Sequence, residues 1–529
     1  MNPVTLRTIP LLLVVLLCQC GAPHPPRCAS VPMASRQPAA KLINNAREQW
    51  KILGNSARSS EWGIAQASYN RSVAMLFDQL RCGPGDWSSR AATLGTRIAP
   101  PDERQLDLTS LDAVFPASQV DVRILKTHQT TVGIGVPLVG WKVSTPVGIK
   151  RPPYQLPNGF PYNITTTLRF DPSGTPSWHF TRRWLHNDLK IKNTSHTLAA
   201  DWSAPNAFLW KMCSLDDLKI QNVLRPDRFS EETGIYFLQP YDPKKIPLVL
   251  VHGLVSSPDA FKNIINELAP EPWFRERYQI WLYSYPTGNP WIYSGAKFRE
   301  LMREACDYAR AKGDDTNLNR MVVVSHSMGG LITRSSVTDP KNVLYDAYFK
   351  QPIDQLNVSE PTRKLIRDAA LYQPLAEPKR LVFLAVPHRG SPIANRWFAN
   401  VISKVISLPK TLTVDLLDKT VSTVGDLIQG EDKSYPLPTS ISSLSPKSRA
   451  NVSLNTLPLP SQIQCHSVMG DRGKGDTPNS SDGIVPYWSS HVTPVSSELI
   501  VPCNHGVPDN AQAAVELERI LKLHLQSKN

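Results

Sequence analysis

Apolar positions follow three different spacings along the chain. Leu42, Ala46, Trp50 and Leu53 recur every three or four residues, Gly54-Asn55 interrupts, and Ala65, Tyr69, Val73, Leu76 and Leu80 resume the spacing. Residues three and four apart share one helical face, so the pattern predicts a helical hairpin over 41–100 that closes near Gly83-Pro84-Gly85. Between about Arg104 and Pro240 the period falls to two. Val120, Val122 and Ile124 alternate with polar residues, as do Ile164, Thr166, Leu168 and Phe170, which lead into the turn Asp171-Pro172-Ser173-Gly174. Alternation puts one face of a strand against a core, and 101–235 reads as a β-rich accessory domain. Its Trp178, Trp184, Trp202 and Trp210 read as core aromatics.

From Ile246 the pattern changes again, to short unbroken apolar runs alternating with helical periodicity. The runs predict strands at Leu248–Val251, Ile280–Tyr283, Met321–Val324, Leu381–Val386, Ile463–Met469 and Leu499–Val501. The predicted helices are Asp259–Leu268, Ala296–Lys312, Gly329–Val337 and Ala511–Leu525. Unbroken apolar runs suit strands buried on both faces of a parallel sheet between helices. An α/β domain is expected over 236–529, with an insertion at 391–461 too long for a simple connection and placed to cap a site.

Inside this domain, Met321-Val322-Val323-Val324-Ser325-His326-Ser327-Met328-Gly329-Gly330-Leu331 runs from strand through a serine-centred turn into a helix. This is the context a G-x-S-x-G nucleophile turn requires, because close strand–helix packing demands small residues on either side of the serine. Gly329 meets that demand, and Ser325 stands where glycine is usual. Upstream, Leu248-Val249-Leu250-Val251-His252-Gly253-Leu254 ends a strand in a loop whose Gly253 permits close backbone approach. Acyl transfer builds negative charge on a carbonyl oxygen, which two backbone N–H groups can stabilise. Met328 and Leu254 are the candidates for that oxyanion hole, with His252 and His326 as supporting neighbours. Downstream, Asp482 in Ser480-Ser481-Asp482-Gly483 and His505 after the last strand complete the order Ser, Asp, His. Their competitors are Asp471 and Asp476 for the acid, and His466 and His491 for the base.

Together with Val386-Pro387-His388-Arg389-Gly390-Ser391-Pro392, these segments resemble secreted bacterial α/β-hydrolases of the lipase/esterase group. The resemblance covers roughly 235–529 and implies the α/β-hydrolase fold and hydrolysis of carboxylic esters, small or lipid, through an acyl-enzyme on Ser327. It implies no metal or organic cofactor, and it makes His388 structural or substrate-adjacent rather than the base. The same site serves acyl transfer to alcohols and cleavage of peptides or thioesters. The unassigned first half also leaves a non-catalytic binding scaffold as an alternative.

Composition adds compartment more than chemistry. The chain has 529 residues, 47 of them proline, and a formal charge of +13. Its strongest basic pairs, Lys244-Lys245 and Arg182-Arg183, are short, which reads as a solvated basic surface rather than a nucleic-acid interface. Arg7 precedes the apolar run Ile9–Leu17, which is too short to span a bilayer and has the layout of a secretory leader over 1–19. The following Leu17-Cys18-Gln19-Cys20-Gly21 resembles a bacterial lipoprotein signal, with Cys20 as the acylated residue and Gln19 departing from the usual small residue. Export to the cell envelope, lipid-anchored or free, is therefore expected, with 20–40 as a Pro/Ala/Ser-rich tether. Apart from Cys18 and Cys20, six cysteines remain (28, 82, 213, 306, 465 and 503) without metal-binding spacing. Disulfides or buried thiols are expected instead, with Cys465 and Cys503 as a possible pair on neighbouring strands.

Overall fold

The computed structural model describes residues 25–26, 28, 31–54, 61–144, 154–156, 158–192, 194–212, 233–393, 442–473 and 479–527. The leader, Cys20 and the start of the tether, Cys213, Asp476 and most of the insertion lie outside the described residues.

The helical spacing near the start forms α1 (Ala39–Leu53) and α2 (Trp62–Cys82), and the short α3 (Trp87–Thr93) follows. Asp86 caps α3 by accepting from Ser89 N at 2.7 Å, satisfying one of the helix's orphan donors. A disulfide joins Cys28 to Cys82 at the end of α2, with Cα atoms 5.3 Å apart. Cys465 and Cys503, the expected pair, are both free thiols. Their strands run parallel with His466 opposite Ser497 and Asp471 opposite Pro502. Cys465 therefore begins one strand while Cys503 lies past the end of the other, roughly 20 Å further along.

Among the described residues nine strands follow: β1 (Arg97–Ile98), β2 (Ala113–Pro116), β3 (Thr130–Thr131), β4 (Val136–Lys142), β5 (Phe160–Phe170), β6 (Pro176–Arg182), β7 (Asp188–Ile191), β8 (Thr194–Thr197) and β9 (Ala200–Asp201). Five of them form a sheet in the order β1-β6-β5-β4-β2, and β3-β9 and β7-β8 pair separately. Ile164, Leu168, Trp178 and Phe180 share one core with Tyr69, Val73, Leu76 and Phe77 of α2, so the helical hairpin is a layer upon this sheet. The alternating Val120, Val122 and Ile124 do not form the expected strand. Asp121 accepts from Arg123 N at 3.0 Å, and Leu125 N donates to Val122 O at 2.9 Å. This side-chain-to-backbone turn competes with strand pairing.

Helix α4 (Ser203–Met212) joins the two halves of the molecule. Its Phe208, Leu209 and Trp210 belong to the same core as Ile246, Leu248 and Leu250 of the second sheet and Phe261, Ile264 and Leu268 beside it. Ser203 Oγ donates to Asn266 Oδ1 at 2.8 Å across this junction.

The second sheet contains β10 (Gly234–Phe237), β11 (Ile246–Val251), β12 (Tyr278–Ser284), β13 (Met321–His326), β14 (Pro378–Leu384), β15 (Gln464–Asp471) and β16 (Ser497–Pro502). Its order is β10-β12-β11-β13-β14-β15-β16. Only β10 is antiparallel to its neighbour. Every residue of β11 and β13 is buried, as continuous apolar runs require. Among the described residues, helices Lys262–Leu268, Trp291–Arg310, Met328–Val337 and Ala511–Gln526 match the expected helices to within a few residues. This is the α/β-hydrolase architecture. Because β12 lies on one side of β11 and β13 on the other, the chain reverses its winding there. The loops leaving the carboxyl ends of β11 and β13 meet at that switch point, where α/β folds place their ligands.

Candidate active site

The sharp turn after β13 puts Ser327 at φ 54°, ψ −127°, between a strand ending at His326 and a helix starting at Met328. A non-glycine residue at such angles is strained and persists because its surroundings hold it. The flanking residues show how close the packing is. A Cβ at Gly329 would lie 2.5 Å from His252 O, and one at Gly330 would lie 2.1 Å from Val386 Cγ2. Ser325, at the position where glycine is usual, is fully buried, and its Oγ accepts from Thr333 Oγ1 at 2.9 Å. The extra hydroxyl is satisfied by the helix it packs against, so it carries no desolvation penalty.

Two loops from further along the chain converge on Ser327. His505 Nε2 lies 2.8 Å from Ser327 Oγ, and His505 Nδ1 lies 2.6 Å from Asp482 Oδ2. The other carboxylate oxygen, Asp482 Oδ1, accepts from Ile484 N at 2.8 Å and Val485 N at 2.7 Å. Asp482 is 2% exposed. Both of its oxygens are thus committed, one to fixing the loop and one to orienting the imidazole. With Nδ1–H held by the carboxylate, Nε2 is left as the lone pair facing the serine hydroxyl, the arrangement of a nucleophile, base and orienting acid.

A family model for "Putative serine esterase (DUF676)" matches residues 242–466. The match spans under half of the chain. It takes in Leu254, Ser327 and Met328 and ends before Asp482 and His505. No curated protein matches the chain significantly. Among solved structures, a Bacillus licheniformis lipase is 15% identical, covering 54% of this chain and 97% of its own, with a TM-score of 0.32. The protein Cfl2 of Burkholderia cenocepacia is also 15% identical, covering 54% and 91%, with a TM-score of 0.29. An alpha/beta hydrolase fold protein of Burkholderia ambifaria is 16% identical, covering 53% and 90%, with a TM-score of 0.26.

Of the expected oxyanion donors, Met328 adjoins the nucleophile, and the loop residue before Leu254 packs against it. Met328 is the first residue of its helix, where a backbone N–H has no intrahelical partner. On the other side, a Cβ at Gly253 would sit 2.8 Å from Ser327 Cβ. Only glycine lets the loop leading to the buried Leu254 approach so closely. His252 supports that loop: its ring stacks on Tyr285 with centroids 4.4 Å apart, and Tyr285 Oη donates to His252 O at 2.8 Å.

The competing residues lie elsewhere. His466 contacts Ser497 Oγ at 2.7 Å and the Arg380 guanidinium, near the beginning of β15 and away from Ser327. His491 pairs with Glu498 at 2.7 Å, and Asp471 accepts from Gly473 N at 2.9 Å. His388 is fully buried edge-on to Phe383. Burial and the neighbouring Arg334 hold its imidazole well below the usual histidine range, which suits a structural role.

Gly470, on β15, is a site residue that motif reading missed. A Cβ there would lie 2.8 Å from Asp482 Cβ, 2.9 Å from Asn504 O and 3.0 Å from Cys503 O. The acid loop and the base loop therefore close against one another over a bare backbone. The available signal was a glycine at the end of a buried strand, which marks close approach of another backbone. Gly470→Ala is expected to lower kcat about 100-fold by prising the two loops apart, since misplacement of about 1 Å costs that much. Steady-state kinetics on a folded variant check this, and an unchanged kcat would contradict it.

Several buried histidines are expected to make the protein acid-sensitive. Burial pushes His466 and His524 down to about 4, with Arg380 adding to both shifts. Burial also pushes His326 down to about 3. An unfolded histidine titrates near 6.5, so below that pH the unfolded chain binds protons that the folded one refuses. Stability is full above about 6.5 and falls as pH drops towards 4, by roughly 1–2 kcal/mol per imidazole. Thermal midpoints should fall between pH 6.5 and 5, above the carboxylate range, and the fall should be shallower in His466→Gln. A flat profile over that window would contradict the assignment.

Proposed function

We propose that the chain is a serine hydrolase that cleaves carboxylic esters through an acyl-enzyme on Ser327. The observation that carries this reading is the continuous line from Asp482 through His505 to Ser327, at 2.6 and 2.8 Å. His505 removes the Ser327 proton as Oγ adds to the ester carbonyl. The N–H groups of Met328 and Leu254 receive the developing oxyanion. The tetrahedral adduct collapses, its C–O bond breaks, and the departing alcohol takes the proton from His505. Water then repeats the sequence on the acyl-enzyme, releasing the acid and restoring Ser327. Asp482 stays ionised throughout and stabilises the transient imidazolium.

The proposal includes export. It is supported by the leader-like run Ile9–Leu17 and by the Cys28–Cys82 disulfide, a bond that persists in oxidising compartments. An acylated Cys20 would hold the protein at the cell envelope. The substrates proposed are small-molecule or lipid esters.

The test is a series of p-nitrophenyl esters of increasing acyl length, with water and a short alcohol as competing acceptors. Release of free acid as the main product is expected. Product found only as the alcohol ester would make the protein an acyltransferase, and no turnover of any ester would remove the reading.

A further inference from the structure

The histidine immediately before the nucleophile has no part in the proton transfers, yet it is tied to the residue that does. His326 Nε2 lies 2.8 Å from the main-chain carbonyl of His505, and the two rings sit 4.9 Å apart at 45°. A carbonyl only accepts, so Nε2 carries the proton and Nδ1 is the bare nitrogen. Nδ1 is buried without a hydrogen-bond partner, at the Gly253 turn, where an added Cβ would come within 3.2 Å of it. Leaving a buried nitrogen unpaired costs about 1–3 kcal/mol, which a purely space-filling residue such as phenylalanine would avoid.

We propose that His326 is a positioning residue that clamps the backbone of the catalytic base onto the strand carrying the nucleophile. Asp482 orients the His505 side chain from the separate loop after β15, and its carboxylate is engaged by Ile484 N, Val485 N and His505 rather than by β13, so it does not set the distance from the base loop to Ser327. His326 can, because it belongs to β13 and is adjacent to Ser327. One hydrogen bond thus links the end of β13 directly to the base loop after β16, across β14 and β15 in the sheet order. This inference rests on the proposed serine-hydrolase reading.

The test compares His326→Phe, which keeps a ring but loses the donor, with His326→Gln, whose amide nitrogen reaches the Nε2 position. A third variant, His326→Asn, places its amide only as far as Nδ1. Ester hydrolysis and thermal midpoint are measured for all. Phe and Asn should lower kcat about 10- to 100-fold with KM within about twofold, and Gln should recover most of the loss. Wild-type kcat in a folded His326→Phe would overturn the proposal. So would equal kcat in the Gln and Asn variants, a comparison that stands even if the Phe variant does not fold. Absence of ester hydrolysis by the wild type would instead overturn the serine-hydrolase reading itself.

Discussion

Ser327→Gly is expected to abolish ester hydrolysis while leaving the protein more stable than Ser327→Ala. Removing the nucleophile of an acyl-enzyme mechanism costs about 10⁵–10⁶-fold in kcat, and both variants share that loss. They differ in the backbone. Ser327 sits at φ 54°, ψ −127°, a region that glycine enters freely and alanine does not. Strain of this kind is worth about 1–3 kcal/mol, and the greater freedom of glycine in the unfolded chain returns about 0.5–1 kcal/mol of it. The glycine variant should therefore melt about 1–2 °C above the alanine variant. Calorimetry on the two inactive proteins reads this difference. A glycine variant that melts lower would mean that the turn stores no strain and that its geometry is not imposed by the packing at Gly329 and Gly330.

Asp482→Asn should lower kcat about 10⁴-fold with little loss of stability. The amide oxygen can still accept from Ile484 and Val485, as Oδ1 does at 2.8 and 2.7 Å, so the loop keeps its shape. The amide nitrogen then faces His505 Nδ1 and donates to it, forcing the imidazole proton onto Nε2. In that tautomer His505 cannot accept from Ser327, and losses of about 10⁴ follow where the orienting acid is neutralised in this way. Asp471→Asn, whose partner is the nearby Gly473 N, should leave kcat close to wild type. A fall of less than tenfold in Asp482→Asn would mean that Asp482 does not orient the base.

What could be read from the sequence follows from which interactions are local. The strands of the second sheet announce themselves because β11 and β13 are buried on both faces and allow no polar interruption. β10 escapes notice because it is four residues long and stands at the end of the sheet order beside β12, with Gly234 opposite Ser284 and Phe237 opposite Trp281. Val120, Val122 and Ile124 carry a strand's alternation, but the Asp121 side chain caps a turn among them, and alternation is blind to that. The nucleophile is legible because its strand, turn and helix are contiguous. The acid is harder to read, since Asp471 and Asp482 flank the same stretch. What decides between them is the loop after β15, which turns Asp471 to Gly473 N and brings Asp482 back over Gly470 against the base loop. Gly470 and His326 act between segments far apart in sequence, and contacts of that kind are set by the assembled sheet.

The most direct test of the account is labelling with a fluorophosphonate probe, followed by mass-spectrometric mapping of the modified residue. The folded wild type should take up one equivalent, on Ser327, while Ser327→Ala takes up none and His505→Ala reacts far more slowly. No labelling of Ser327 in folded protein, or labelling of another residue that persists in Ser327→Ala, would contradict the assignment of this site as the catalytic centre.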